Sequence, residues 1–129
     1  MSSEQMYQEI ILDYFRNPRN KGVIEGTHAH AHDVNTSCGD EMTITLAVDN
    51  DTITDAKFDG SGCAISLAAA SMLAESLVGK TVKQAATMDK QEVLTMLNVP
   101  ISGMRLKCAL LGYKVMKMAL VAREQHVSA

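Results

Sequence analysis

Apolar residues recur at helical spacing near both ends of the chain. From Gln5 to Phe15 they lie three and four residues apart, which predicts a short amphipathic helix. Its apolar face is formed by Tyr7, Ile10, Ile11 and Tyr14. From Met104 to about Glu124 the same spacing predicts the longest helix of the chain. Its inward stripe is formed by Cys108, Leu111, Val115, Met118 and Ala122.

Alternation with a period of two marks the predicted strands. Met42 to Val48 alternates apolar with more polar side chains, and Thr52 to Phe58 is rich in β-branched and aromatic residues. Asp49-Asn50-Asp51 lies between these runs and predicts a turn. The two runs therefore form an antiparallel hairpin.

A histidine row precedes the hairpin. His28, His30 and His32 alternate with alanines, which would place three imidazoles on one side of an extended segment. Such a row could bind a metal or form the solvated face of an edge strand. The edge strand is favoured, because no anchored ligand lies nearby in the sequence.

Further helical segments follow the hairpin. Ala64 to Val78 is apolar and rich in small residues, and Gly79 stops it. Thr81 to Leu97 predicts one or two short helices, with Asp89 and Glu92 spaced as a capping box. This last segment is interpreted as structural.

Length, composition and charge limit the function classes. The 129 residues predict one domain spanning 1–129, and a chain that is 47% hydrophobic but 4% aromatic must build its core from aliphatic and methionine side chains. The net charge of −3 argues against a nucleic-acid surface or an anionic membrane as partner. The sequence shows no signal peptide and no membrane-spanning run, so we expect a cytoplasmic protein.

The three cysteines are candidates for chemistry. Three thiols cannot all pair within one chain, and widely spaced thiols in a reducing compartment are free, metal-binding or catalytic. Gly39 lies between Cys38 and Asp40 and lets the backbone turn, so that the thiol and the carboxylate can approach one point. Alternatively, Cys38 is a small buried hydrophobe and Asp40 belongs to an ordinary turn.

Cys63 falls at the start of the helix predicted from Ala64 to Val78. Unsatisfied backbone N–H groups at a helix start favour the thiolate, which is the better ligand and nucleophile. The preceding Gly60 and Gly62 are compatible with close approach of a bulky inorganic group, and equally with a simple hinge.

Cys108 lies in the first turns of the last predicted helix. Arg105 and Lys107 are close to it in sequence and would lower the pKa of its thiol. Alternatively, Lys107 belongs with Lys114 and Lys117 to a solvated face.

Three thiols and one carboxylate would suit zinc or a small iron–sulfur cluster. These candidate ligands are Cys38, Asp40, Cys63 and Cys108. Sequence spacing alone does not show that they converge, because long stretches of chain separate them.

Four motifs carry a resemblance to a known family. They are the segments 11–22 (Ile-Leu-Asp-Tyr-Phe-Arg-Asn-Pro-Arg-Asn-Lys-Gly), 35–40 (Asn-Thr-Ser-Cys-Gly-Asp), 60–66 (Gly-Ser-Gly-Cys-Ala-Ile-Ser) and 105–110 (Arg-Leu-Lys-Cys-Ala-Leu). In this order, and over nearly the full length, the chain resembles the U-type iron–sulfur cluster assembly scaffolds, which comprise IscU, SufU and the N-terminal domain of NifU. The resemblance implies an α+β fold of the SufE/NifU type, with a small three-stranded antiparallel sheet packed against about five helices.

The resemblance also implies a function. Cys38, Cys63 and Cys108 would hold a transient [2Fe-2S] cluster or Zn²⁺, with Asp40 as the fourth, exchangeable ligand. As a scaffold, the protein would receive sulfur from a cysteine desulfurase and pass the cluster to recipient apo-iron-sulfur proteins. A homodimer is possible.

Two alternatives stay open. In a zinc-dependent, SufU-like sulfurtransferase, one thiol accepts the persulfide sulfur, with Cys108 as the acceptor candidate and Arg105 and Lys107 in support. In the other alternative, zinc has only a structural role.

Departures from the family pattern bear on the subtype. Lys107 stands where IscU-like members place a histidine, which makes Asp40 more important as a ligand. Arg105 and Lys107 match the SufU-like form, yet the SufU-like insertion between the second and third cysteines is missing. Thr36 stands where proline is frequent, which changes loop stiffness only. The segment from Val99 to Ser102 matches poorly the one that IscU-like proteins offer to a chaperone, so that partner is not predicted.

Overall fold

The computed structural model describes residues 3–26, 29–37, 39–101 and 103–128. Its elements, in chain order, are α1 (Ser3–Arg16), β1 (Ala29–Asn35), β2 (Asp40–Asp49), β3 (Thr52–Ser61), α2 (Ala64–Leu77), α3 (Val82–Ala86), α4 (Lys90–Leu97) and α5 (Met104–Ser128). A three-stranded antiparallel sheet and five helices confirm the predicted α+β class. No helix in these ranges has the length and apolar character that a membrane crossing requires.

The strand order of the sheet is β1-β2-β3, and both neighbouring pairs are antiparallel. A two-residue turn joins β2 to β3, and its residues Asn50 and Asp51 have φ angles of 52° and 62°. Two successive positive φ angles are typical of a type I′ turn, whose twist matches that of the strands it joins. The predicted hairpin is confirmed, and β3 continues beyond the predicted Phe58 to Ser61.

The core lies on the apolar face of the sheet. Met42, Ile44 and Leu46 are alternate residues of β2, and all three are fully buried. α5 packs against β1 and β2, α2 packs against β3, and α1 covers α2. The helices therefore shield the apolar face from solvent.

β1 is an edge strand with one solvated face. Ala29 is fully buried, whereas His30 and His32 are exposed, and His32 Nδ1 lies 2.8 Å from Thr43 Oγ1. Among the described residues, neither histidine belongs to a group of side chains close enough together to hold a metal. His28 lies outside the described residues. His30 and His32 therefore support the edge-strand interpretation.

The inward stripe of α5 differs from the predicted one. Cys108, Leu111 and Val115 are buried as predicted, but Met118 is 37% exposed and Ala122 is also exposed. The predicted stripe repeats every seven residues, and a straight α-helix drifts by about 20° per seven residues from that repeat. Between residues 116 and 123, the buried positions are therefore Met116, Ala119 and Leu120.

α1 contacts α2 through apolar residues and through polar contacts of Tyr14. Ile11 is buried, but Ile10, which was predicted on the same face, is 39% exposed, because adjacent helical residues point about 100° apart. The Tyr14 hydroxyl donates a hydrogen bond of 2.7 Å to Glu75, and the guanidinium of Arg19 lies 4.0 Å from the centre of the Tyr14 ring. These contacts link α1 and the loop after it to α2.

Small residues let α2 and α5 approach closely. A Cβ added at Gly112 of α5 would lie 3.3 Å from the Cβ of Ala70 in α2, so the two backbones leave little room for a larger side chain. Cys63 precedes α2, and Cys108 lies in the first turns of α5. The close packing of the two helices therefore helps to bring these thiols together.

The predicted capping box is at a different helix. Asp89 is the N-cap of α4, but its side chain accepts a hydrogen bond from the Gln91 amide, so the predicted pairing of Asp89 with Glu92 was wrong. The complete capping box lies at the start of α3, where Thr81 and Gln84 exchange side-chain to backbone hydrogen bonds.

Candidate metal centre

Three segments that are distant in sequence meet at one point. Asp40 begins β2, Cys63 precedes α2, and Cys108 lies in α5. The ligand atoms of these three residues, two thiol sulfurs and a carboxylate oxygen, all lie within 4.8 Å of one another. The fourth candidate ligand, Cys38, lies outside the described residues.

The hairpin places Asp40 beside Cys63. The register of β2 and β3 pairs Glu41 with Ser61, so the end of β3 leads directly past Asp40. The backbone N–H of Cys63 donates to Asp40 Oδ1 over 3.2 Å, and Cys63 Sγ lies 3.8 Å from Asp40 Oδ2. Asp40 therefore contacts both the backbone and the thiol of Cys63.

Gly62 makes this contact possible. A Cβ at this position would lie 2.7 Å from both Cγ and Oδ1 of Asp40, which is closer than real Cβ atoms approach other heavy atoms. The sequence suggested that the glycines here allow an inorganic group to approach. The structure shows a different reason at Gly62, where the absent side chain leaves space for the Asp40 carboxylate.

Cys63 is the N-cap of α2, as its sequence position predicts. It has extended backbone angles, φ −73° and ψ 167°, and its sulfur accepts a hydrogen bond of 3.4 Å from the Ser66 amide. This bond fixes the sulfur at the N-terminal end of α2, on the side of Asp40. The fold therefore sets the position of this candidate ligand through its backbone.

Burial differs among the three side chains. Asp40 is 3% exposed and Cys108 is 4% exposed, whereas Cys63 is exposed. No salt bridge in the described part of the chain involves Asp40. A buried carboxylate without a cation is costly, so the centre fits a positively charged metal ion.

The two predicted basic residues lie on different sides of the centre. Arg105 lines a pocket of about 470 Å³ together with Cys63, and the pocket's other walls include Leu12 and Pro100. Lys107 instead lines a groove along α5. Their role beside the Cys108 thiol stays a prediction.

Sequence reasoning missed Ser66. Its side chain is fully buried, and its hydroxyl has no hydrogen-bond partner within the part of the chain that the structure describes. It lies three residues after Cys63, on the first turn of α2, and its amide bonds the sulfur. The sequence does contain a signal for this contact, because Ser66 lies three residues after Cys63 at the predicted start of a helix.

The chain matches the family model described as NifU-like N terminal domain over residues 6–128. The chain belongs to the NifU-like N-terminal domain family. It is 32% identical to the zinc-dependent sulfurtransferase SufU of Bacillus subtilis, with 95% of this chain and 93% of that protein covered. It is 34% identical to the iron-sulfur cluster assembly scaffold protein IscU of Thermotoga maritima, covering 93% of this chain and 96% of the relative.

Solved structures agree with the family assignment. A crystal structure from Fervidobacterium islandicum, of a candidate iron-sulfur cluster assembly scaffold for the SUF system, matches with a TM-score of 0.73 and 35% identity. The match covers 92% of this chain and 99% of the other. The convergent residues described above thus lie in a NifU-like N-terminal domain.

Proposed function

We propose that this protein is an iron–sulfur cluster assembly scaffold. The observation that carries the proposal is the convergence of Asp40, Cys63 and Cys108, whose ligand atoms lie within 4.8 Å of one another. The scaffold named IscU, at 34% identity, supports the same function. In this proposal Cys38 adds a third thiolate from the loop that precedes β2.

The mixture of ligand types suits a cluster that is built and then released. Thiolates bind iron tightly, whereas a carboxylate oxygen is a harder and more weakly held ligand for cluster iron. Asp40 is therefore the ligand that an incoming thiol of a recipient displaces first. Once displaced, the carboxylate still has the Cys63 amide as a partner, because the two are already hydrogen-bonded.

The proposed partners follow from this chemistry. A cysteine desulfurase supplies the sulfur, and apo-iron-sulfur proteins receive the finished cluster. Free thiol ligands require a reducing compartment, which supports a cytoplasmic location. The homodimer stays a prediction that sedimentation measurements can test.

Anaerobic reconstitution tests the proposal. The protein is incubated with Fe²⁺, cysteine and a cysteine desulfurase, and we expect bound iron, acid-labile sulfide and visible charge-transfer bands. Transfer is then followed by circular dichroism, with an apo-[2Fe-2S] ferredoxin as recipient. Failure to assemble any cluster under these conditions, with the protein folded, would contradict the scaffold function.

The Asp40→Ala variant tests the exchangeable ligand. We expect its cluster to persist longer and to transfer more slowly than that of the wild type. The matched control is Asp59→Ala, which removes an exposed carboxylate from β3 and should not change transfer. Equal transfer rates for Asp40→Ala and the wild type would refute this role of Asp40.

A second candidate function is zinc-dependent sulfur transfer. A tetrahedral zinc ion with Zn–S bonds of about 2.3 Å separates its ligand atoms by about 3.8 Å. The observed spread of up to 4.8 Å is close to that value, so the centre could accept a single ion with small side-chain movements. The relative named zinc-dependent sulfurtransferase SufU, at 32% identity, supports this alternative.

The transfer step in this alternative is a thiol–disulfide type exchange. A cysteine thiolate of this protein attacks the outer sulfur of the desulfurase persulfide, R–S–SH. The S–S bond of the persulfide breaks, a new S–S bond forms on this protein, and the desulfurase leaves as a thiolate. Cys108 stays the predicted acceptor, although Cys63 is the exposed thiol, so attack by Cys108 requires the centre to open.

Metal content and desulfurase turnover separate the two functions. Stoichiometric zinc together with faster desulfurase turnover, abolished in Cys108→Ser, is the result expected for the sulfurtransferase. Iron and sulfide that move to the ferredoxin are the result expected for the scaffold. Zinc bound without any effect on the desulfurase would indicate a structural role.

A further inference from the structure

α5 carries a second apolar stripe, on the face turned away from the core. Leu106 and Leu110 are only partly buried, Met118 is 37% exposed, and Val121 is 52% exposed. Residues 106, 110 and 121 lie within about 60° of one another around the helix, with Met118 at the edge of this face and Lys117 interrupting it. A helix that is apolar on two opposite faces is normally covered on both. Among the described elements, α5 packs against β1, β2, α2, α3 and α4, yet Met118 and Val121 stay exposed.

This outer stripe forms the floor of a groove of about 990 Å³. We call it the α5 groove. It extends along α5 from Leu106 to Ala122, about 24 Å at 1.5 Å per residue, and Val34 of β1 contributes to its wall. Val34 is itself 44% exposed. The groove therefore has the length of a docked helix of about 16 residues.

The rim of the groove is basic. Four of the eight lysines of the chain line it, and no acidic residue from the described part of the chain does. They are Lys90, Lys107, Lys114 and Lys117. Lys114 forms an ion pair with Asp33, and Lys117 donates a hydrogen bond to the carbonyl of Ala86, but Lys90 and Lys107 have no ion-pair partner among the described residues. This concentration of positive charge stands out because the whole chain has a net charge of −3.

We propose that the α5 groove binds an amphipathic helix of another protein, with apolar residues on one face and Asp or Glu on its flanks. The apolar face covers Leu110 and Val121, and the acidic flanks face the lysines of the rim. A second copy of this chain is disfavoured, because a symmetric contact would bring two sets of four lysines together.

One end of the groove is lined by residues adjacent in sequence to two candidate metal ligands. Lys107 adjoins the candidate ligand Cys108, and Ser37 lines the groove next to the position of Cys38. A helix docked along α5 would therefore have one end beside the metal ligands. The groove would thus orient a partner relative to the centre. This docking role is additional to the proposed metal chemistry.

A synthetic peptide tests the proposal. The probe is a fluorescein-labelled helical peptide of about 18 residues, with leucines at helical spacing and glutamates on both flanks. Its binding to the full chain is measured by fluorescence anisotropy at low and high salt. Two comparison peptides carry lysines in place of the glutamates, or the same residues in scrambled order. We expect only the acidic amphipathic peptide to bind, and its binding to weaken with salt.

Two groove variants have matched controls outside the groove. Lys90→Glu reverses a charge at the start of α4, where an acid is favourable for the helix, and Lys83→Glu is its control on α3. Val121→Asp places a charge on the groove floor, and Val23→Asp is its control, since Val23 is 53% exposed and Val121 is 52% exposed. We expect each groove variant to weaken binding about fivefold or more and neither control to change it.

Loss of peptide binding can be distinguished from loss of metal binding or of the fold. Metal content and circular dichroism of each variant show whether the centre and the fold are intact. Equal binding of the scrambled or lysine peptide, or groove variants that bind like their controls, would overturn the proposal. A dimer in sedimentation velocity that Val121→Asp dissociates and Val23→Asp does not would assign the groove to a second copy instead, and it too would overturn the proposal.

Discussion

At the scale of single residues, the geometry of the candidate metal centre depends on an absent side chain. A Cβ at position 62 would lie 2.7 Å from the carboxylate of Asp40. We expect Gly62→Ala to push this carboxylate out of place, to weaken metal binding about 10- to 100-fold, and to destabilise the protein by about 1–3 kcal/mol. Competition with a chromogenic chelator measures the first effect and urea unfolding the second.

The controls for Gly62→Ala separate the clash from general strain. Gly26→Ala introduces a side chain at φ 70°, where no atom lies within 4 Å of the new Cβ, so it costs backbone strain but should not change metal binding. In an Asp40→Ala background, Gly62→Ala should cost less stability, since the two nearest atoms, Cγ and Oδ1 of Asp40, are gone. Unchanged metal affinity in Gly62→Ala would contradict the proposed role of the glycine.

Some residues of the centre could be predicted from the sequence and others could not. Cys63 was correctly placed at a helix start, because a glycine-rich segment followed by an apolar run is a local signal. The contact of Gly62 with Asp40 depends on the register of two strands, which a local pattern does not contain. The convergence of Cys63 with Cys108 depends in turn on how α2 packs against α5.

At the scale of secondary-structure elements, a salt bridge links β1 to α5. Lys114 Nζ lies 2.7 Å from Asp33 Oδ2, and this hydrogen bond lowers the pKa of Asp33 from 3.8. A carboxyl whose pKa is lower in the folded state stabilises the fold above its unfolded pKa. That stability is lost as the pH falls through the lowered pKa. We therefore expect Asp33→Asn to lose less stability than the wild type when the pH drops below about 4.

Thermal unfolding between neutral pH and acid pH measures this effect. Asp59→Asn is the control, because Asp59 forms no ion pair in the described ranges of the chain. Parallel loss of melting temperature in Asp33→Asn and the wild type would show that the pair contributes nothing to acid sensitivity.

The close packing of α2 against α5 is a second feature at this scale. A Cβ at Gly112 would already lie 3.3 Å from that of Ala70, so the branched side chain of Gly112→Val should force the helices apart. We expect a destabilisation of about 1–3 kcal/mol. Metal binding should also weaken, because Cys63 is the N-cap of α2 and Cys108 lies in the first turns of α5, so separating the helices separates the two thiols. Urea unfolding and chelator competition test this expectation.

Ala122→Val is the matched control for Gly112→Val. It adds the same side chain to the same helix at an exposed position, and it should leave both properties nearly unchanged. If Gly112→Val destabilises the fold but binds metal normally, the position of the thiols does not depend on this contact.

The elements themselves were largely predictable, because their periodicity is local. α5 is the informative exception. Its sequence contains apolar residues on two faces, and the predicted stripe through Met118 and Ala122 combined positions of the inner face with positions of the outer one. A sequence cannot tell which of two apolar stripes faces the core when both are present.

At the scale of the whole molecule, a bound metal would connect three parts of the fold. Asp40, Cys63 and Cys108 belong to β2, the start of α2 and α5, so a ligand common to them favours the folded state. We expect removal of metal by a chelator to destabilise the protein, by about 4 kcal/mol when the metal was present at about a thousand times its Kd. Differential scanning calorimetry measures the shift in Tm.

The Cys63→Ser variant provides the comparison. Cys63 is exposed, so the substitution should cost little packing, yet it removes a ligand. Its Tm should then respond weakly to the chelator. An equal response of Cys63→Ser and the wild type would place the stabilising metal elsewhere.

The position of α5 after the sheet in the chain has a consequence for the protein during its synthesis. α5 covers β1 and β2, so the apolar residues Met42, Ile44 and Leu46 have been translated long before the helix that buries them. Cys108 lies on that same helix. A nascent chain that has not yet released α5 therefore exposes the apolar face of the sheet and lacks one candidate ligand, Cys108. We expect ion binding to follow the release of α5 and to coincide with closure of the core.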